Sequence, residues 1–158
     1  MSLVILLLLV PASISAHGHD YDPNFALNMT SIQAAARGLL KKIDKLDSKT
    51  VSEEHLDRIY TDPYTRTNYE CSGAPAETLS LEELLKSIEI DPNFDRKSIE
   101  YLDFQITGRY SFTFRIRRDT VEIEYRVVAE RRMRDTKTKL FRAFLLKSET
   151  WECRGDHN

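Results

Sequence analysis

The chain has 158 residues, with 23 lysines and arginines against 25 aspartates and glutamates, and a net charge of −2 with its four histidines neutral. Near-balanced charge excludes a polyelectrolyte binder, and the length suits one domain rather than several. After the first ten residues no segment is apolar enough to span a membrane, and there is no internal repeat or low-complexity tract.

The run from Leu3 to Val10 is uninterrupted apolar sequence, closed by Pro11 and followed by the small and polar stretch Ala12-Ser13-Ile14-Ser15-Ala16. That is the anatomy of a cleavable export signal, and it falls well short of the roughly 20 apolar residues that cross a bilayer. The expected organisation is a signal peptide over 1–16, a flexible leader over 17–29, one domain over 30–153 and a tail over 154–158. A secreted, extracellular protein is therefore expected, which makes nucleic acid an unattractive partner.

Three features gain meaning from that address. Cleavage after Ala16 leaves His17-Gly18-His19 at the new terminus, where an amine, two amide nitrogens and the His19 imidazole suit the planar geometry of Cu(II) or Ni(II). Asn28-Met29-Thr30 is an N-glycosylation sequon. Cys71 and Cys153 are the two cysteines, and an even count in a secretory chain suggests a disulfide. A bond closing that long loop contributes about 4 to 5 kcal/mol in the chain-entropy picture.

The first element is a helix. Ile32, Ala36, Leu39, Leu40, Ile43 and Leu46 recur at steps of three and four, with lysines and Asp44 between them. Thr50-Val51-Ser52-Glu53 has capping-box form and leads into Leu56, Ile59 and Tyr60, with Asp62-Pro63 as terminator. Residues 61–78 carry Pro63, Cys71, Gly73 and Pro75, an irregular connection with a short strand near Thr67 to Cys71. Ser80-Leu81-Glu82-Glu83 repeats the capping device for a third helix with Leu84, Leu85 and Ile88 on one face, stopped by Asp91-Pro92.

Beyond Asn93 the period changes to two. A strand over 99–107 has Leu102, Phe104 and Ile106 on one side, leaving Tyr101, Asp103, Gln105 and Thr107 on the other. Tyr110, Phe112, Phe114 and Ile116 alternate with polar residues, as do Val121, Ile123, Tyr125, Val127 and Ala129. A turn at Arg118-Asp119 pairs Ile116 with Val121 and Phe114 with Ile123; a longer loop shifts this register. The last strand, 138–151, is apolar on both faces through Leu140-Phe141-Arg142-Ala143-Phe144-Leu145-Leu146, as a central or covered strand is.

Helices first and strands after give an α+β domain, with the helices packed on a curved antiparallel sheet of about four long strands. This order of elements over residues 30–153 resembles the nuclear transport factor 2-like superfamily, whose bent sheet and helices form a cone. The export signal, the short length and the closing Trp151-Glu152-Cys153 are similar to small secreted nematode proteins with that domain. The resemblance implies either a binding domain or an isomerase- or dehydratase-like pocket enzyme, since the superfamily holds both.

A pocket enzyme needs an ionisable side chain in an apolar setting, and the candidates are Asp103, His55, Tyr110 and Tyr125. Strand parity puts Asp103 on the outside, His55 follows two glutamates in a helix's first turn, and the tyrosines read as core or rim aromatics. No nucleophile elbow, phosphate loop, zinc motif or Cys-x-x-Cys is present, so no cofactor is implied. From residue 109 to 154 the chain carries 13 basic against 7 acidic residues. The densest run, Arg131, Arg132 and Arg134, suits a solvated hairpin end or an anionic partner such as a sulfated glycan or a phospholipid head group. The reading that results is a non-catalytic secreted binding domain, for an apolar small molecule or an extracellular protein, with a homodimer through the sheet as one arrangement.

Overall fold

The computed structural model describes residues 19–20, 25–46, 49–69, 76–90, 99–118, 121–133 and 140–153. Helix α1 (Met29–Ile43) starts at Asn28, whose extended backbone lets its side-chain oxygen accept from the Ser31 amide at 2.9 Å while Ser31 Oγ accepts from the Asn28 amide at 3.0 Å. Two otherwise unpaired amides are satisfied reciprocally. The buried stripe is Ile32, Ala36, Leu39, Leu40 and Ile43, as the periodicity predicts.

The second helix is much shorter than its capping signal suggests. Helix α2 (Glu53–Asp57) is capped at Ser52 rather than Thr50, and Ser52 Oγ bonds His55 Nδ1 at 2.9 Å instead of a backbone amide. Leu56 and Ile59 are buried, but the Ile59 carbonyl already accepts from the Leu146 amide at 2.8 Å, and Tyr60 opens strand β2 (Tyr60–Tyr69). Pairing with the sheet ends the helix before Asp62-Pro63 is reached. The strand passes through that cis peptide, and its register shifts between Tyr60 and Thr65. Strand β3 (Glu77–Leu79) then pairs back on β2. Helix α3 (Leu81–Ile90) has the expected capping box: the Ser80 amide donates to the Glu83 carboxylate at 2.8 Å and the Glu83 amide to Ser80 Oγ at 3.2 Å. Its expected terminator, Asp91-Pro92, lies outside the described residues.

Strands β4 (Glu100–Gly108), β5 (Ser111–Arg118), β6 (Val121–Met133) and β7 (Leu140–Cys153) form the expected meander. The sheet is larger than expected, however. Its order is β3-β2-β7-β6-β5-β4, six strands rather than about four, and two-residue β1 (His19–Asp20) adds to β7. It is also mixed, because β2 runs parallel to β7. The sequence predicts a short strand only near Thr67 to Cys71, and its earlier start has a physical reason: Tyr60–Tyr69 contains Pro63 and buries only Tyr60, Thr61 and Tyr64 among its described side chains, so no period-two pattern marks it.

The β5–β6 register differs from the expected one by two residues. Ile116 faces Ile123, Phe114 faces Tyr125 and Arg118 faces Val121, so the ladder extends to Arg118 and Val121. A shift of two leaves every side chain on its predicted face, so the core is unchanged. Phe112, Phe114, Ile116, Ile123, Tyr125, Val127 and Leu146 line the face that packs against α1, α2 and α3. Phe114 is 1% exposed, with Tyr125 stacked at 5.0 Å and Phe104 at 6.3 Å between ring centroids. Phe114→Ala removes both stacks and leaves a cavity between two strands, so urea denaturation should show a loss of about 3 to 5 kcal/mol.

Candidate functional site

Two bulges decide which side chains reach the helix-covered face. In the β6–β7 pair Val127 faces Leu146 but Arg126 faces Ser148, so Lys147 is an extra residue. Past that bulge the parity of β7 inverts. Glu149 and Trp151, which unbroken alternation from Leu146 would place on the opposite face, stand opposite Tyr125 and Ile123 on the core side. In the β4–β5 pair Tyr101 faces Ile116 but Asp103 faces Arg115, making Leu102 the extra residue. Tyr101 therefore shares the core face with Phe104 and Ile106, against the simple alternation that grouped it with Asp103.

The first bulge builds a buried polar cluster. Arg66 of β2 is the register partner of Glu149, and the two form an ion pair through Arg66 Nε and Glu149 Oε1, with the carboxylate side chain only 7% exposed. Around it stand Tyr60 and Tyr64, ring centroids 4.7 Å apart and edge to face, and Tyr125 across the sheet. Arg118 approaches from the end of β5 and bonds Asp44, at the C-cap of α1, at 3.3 Å. Tyr64 Oη and Trp151 Nε1 are buried with no hydrogen-bond partner among the described residues.

Electrostatics follow from this packing. Burial, reinforced by the Glu149 carboxylate, pushes the phenols of Tyr60, Tyr64 and Tyr125 well above the usual tyrosine range. At Arg66, burial acts to lower the pKa, but the charge and hydrogen bond of Glu149 outweigh it and the net shift is upward. The cluster thus offers phenolic and indole donors around a carboxylate already held by a guanidinium.

The expected catalytic candidates do not converge here, with one exception. Tyr125 joins the cluster. Asp103 is exposed on the edge strand, 3.8 Å from Arg115, and its Oδ1 accepts from the Phe104 amide at 2.8 Å. His55 is exposed on α2. Tyr110 sits in the β4–β5 connection, stacked on Phe25 at 6.2 Å with the Arg142 guanidinium 4.2 Å from its ring centre. Sequence reasoning passed over Tyr60, Tyr64, Arg66, Glu149 and Trp151. A glutamate in a half-apolar strand was the available signal.

Of the basic run, Arg132 is turned onto α2, where Nη1 donates to the Asp57 carbonyl at 2.8 Å and to its carboxylate at 2.6 Å, and Nη2 to the carboxylate at 3.1 Å. Arg131 is exposed and faces Arg142 across the ladder, while Arg134 lies outside the described residues. His17 and Cys71 also lie outside them. His19 pairs with Arg142 through β1, and Cys153 ends β7 opposite Val121. Asn28 caps α1. Among the described residues no group of three His, Cys, Asp or Glu side chains is gathered to hold a metal, and no helix is long and apolar enough to cross a membrane.

Two measurements check the cluster. Arg66→Met leaves the Glu149 carboxylate buried without its partner and should cost about 3 kcal/mol, the low end for a broken buried pair because Arg66 still touches solvent; Arg66→Met with Glu149→Leu should recover most of it. The folded-state pKa of the three phenols lies above the unfolded value, so their stabilising contribution is fully present below about pH 10 and is lost as pH rises beyond it. Thermal melts across that window should show falling stability, and ultraviolet titration should show these three of the seven tyrosines ionising only as the protein unfolds.

No protein-family profile matches the chain, and no curated protein matches it. Solved structures do. A nuclear transport factor 2-like protein of unknown function from Silicibacter pomeroyi aligns with a TM-score of 0.55 at 10% identity, covering 81% of this chain and 100% of that one. One from Shewanella baltica aligns at 0.54 and 10% identity, covering 82% and 99%, and a protein from Kribbella flavida at 0.51 and 15% identity, covering 81% and 94%. At such identities the likeness is one of fold, and the fold of this chain is nuclear transport factor 2-like.

Proposed function

We propose that this protein is a secreted, non-catalytic binding domain whose ligand is a neutral, largely apolar molecule with one hydrogen-bond acceptor, held at the helix-covered face of the sheet. The observation that carries the reading is Tyr64 Oη. It is fully buried and has no partner among the described residues; a buried hydroxyl in that state costs about 1 to 3 kcal/mol, and an acceptor arriving on a ligand removes that cost. Trp151 Nε1 offers a second such donor nearby in sequence to Glu149 on the same face. Catalysis of the isomerase or dehydratase type calls for a proton acceptor free to act. Glu149 is instead engaged by Arg66, and the surrounding phenols hold their protons through neutral pH.

The opposite face of the sheet supports a second, protein-binding reading less well. It presents rows of alternating charge, with Arg117 bonded to Glu100 at 3.0 Å and to Glu122 at 2.8 Å, and Arg115 facing Glu124. Pairing of a second copy across this face has to displace these internal partners. Secretion is carried by the sequence of the leader, and the Cys71–Cys153 disulfide accompanies it. The parallel register sets Tyr69 beside Glu152, so Cys71 follows two residues after one member of that pair and Cys153 one residue after the other. Mass spectrometry of the exported protein should find both thiols blocked to alkylation until reduction, with reduction lowering stability by about 4 to 5 kcal/mol.

Trp151 is the single tryptophan and so reports on the site directly. Titration with all-trans-retinol, followed by energy transfer from Trp151, should saturate with the wild-type chain. Tyr64→Phe should raise the stability of the unliganded protein by about 1 to 2 kcal/mol while weakening retinol binding about tenfold, since the hydroxyl burdens the empty site and serves the filled one. No conversion of a Δ5-3-ketosteroid to its conjugated isomer is expected. Steroid turnover abolished by Glu149→Gln would overturn the non-catalytic reading, and unchanged retinol affinity in Tyr64→Phe would overturn the role of the hydroxyl.

A further inference from the structure

We propose that Asn28 is an N-glycosylation site whose amide is divided between two tasks, the oxygen capping helix α1 and the nitrogen carrying the glycan. Asn28-Met29-Thr30 is the one Asn-x-Ser/Thr sequence in the chain, and all three of its residues are exposed. Oδ1 accepts from the Ser31 amide at 2.9 Å, and Ser31 Oγ, which closes the capping box, donates to the Asn28 carbonyl at 2.8 Å. Nδ2 has no acceptor among the described residues. Ser31, the residue that completes the cap, is one position beyond the sequon, so Thr30 is left out of the capping bonds altogether.

The chemistry keeps the cap intact. Nδ2 displaces the pyrophosphate of a polyprenyl-pyrophosphate-linked oligosaccharide: the Nδ2–C1 bond forms as the bond from C1 to the pyrophosphate oxygen breaks, the pyrophosphate leaves with the electron pair, and one Nδ2 proton passes to a base. The amide carbonyl is unchanged, so Oδ1 remains an acceptor for Ser31 and α1 keeps its first turn. Met29, the first residue of the helix, is 48% exposed and lies directly beside the attachment point, where the first sugar ring has an apolar side chain to rest on.

The proposal shares the secretory route with the function proposed above, and one experiment separates the two. The full chain is expressed in secreting eukaryotic cells, and medium and lysate are compared by gel mobility before and after peptide N-glycosidase. The wild type should appear in the medium with a mobility shift of one glycan, released by the enzyme with conversion of Asn28 to Asp. Thr30→Ala and Asn28→Asp should both lose the shift and still be exported, and both should melt within a degree or so of the deglycosylated wild type, because each keeps a capping oxygen at position 28. Exported protein without a shift, or a shift that survives Thr30→Ala, overturns the glycan. A chain retained in the cytosol overturns secretion instead, and an appended export leader then reads the sequon by the same shift.

Discussion

Strand β7 is paired along both of its edges, antiparallel with β6 over its full length and parallel with β2, and the rest of the molecule is arranged around that double pairing. The antiparallel side extends a hairpin meander out to β4. The parallel side requires the chain to cross from the helices into the sheet, which is why α2 ends after five residues and the Ile59 carbonyl, two residues on, accepts from the Leu146 amide of β7. A central strand is covered on both faces, so its side chains can be apolar on both, as the fully buried neighbours Leu145 and Leu146 are.

Within this strand the extra residue at Lys147 has consequences out of proportion to its size. It turns Glu149 inward, and an inward carboxylate must find a cation or be neutralised. Arg66 meets that requirement only because β2 lies alongside in the register that makes the two residues neighbours. Burial, reinforced by that carboxylate, keeps three phenols protonated, and the donors of Tyr64 and Trp151, without a partner among the described residues, are what distinguish this face from an ordinary apolar core. The second bulge, at Leu102, has a milder effect: it carries Tyr101 under the guanidinium of Arg37, 5.7 Å from the ring centre.

The segment before α1 is tied down by aromatic contacts. Phe25 stacks on Tyr110 and lies 6.3 Å from Phe144, and the Arg142 guanidinium stands 5.0 Å from the Phe25 ring and 4.2 Å from that of Tyr110. With β1 pairing on β7, part of what composition marks as leader is held against the sheet immediately ahead of the Asn28 cap.

Much of this was legible in the residues themselves. The stripe from Ile32 to Ile43, the capping box at Ser80 and the alternation of Phe112, Phe114 and Ile116 are local patterns, set by helix and strand periods that need no partner to be read. They determined an α+β chain, the buried faces of α1, β5 and β6, and the exposed position of Asp103. What only the tertiary structure decided are the features that depend on a partner strand. Strand β2 has no periodic signature and exists because β7 offers it an edge. The inward turn of Glu149 depends on one extra residue in a ladder, which leaves no mark in composition, and its pairing with Arg66, 83 positions away, depends on that ladder's register. Periodicity reports how a segment meets water, whereas register and bulges are settled between segments, and the polar cluster of this protein is built entirely from the latter.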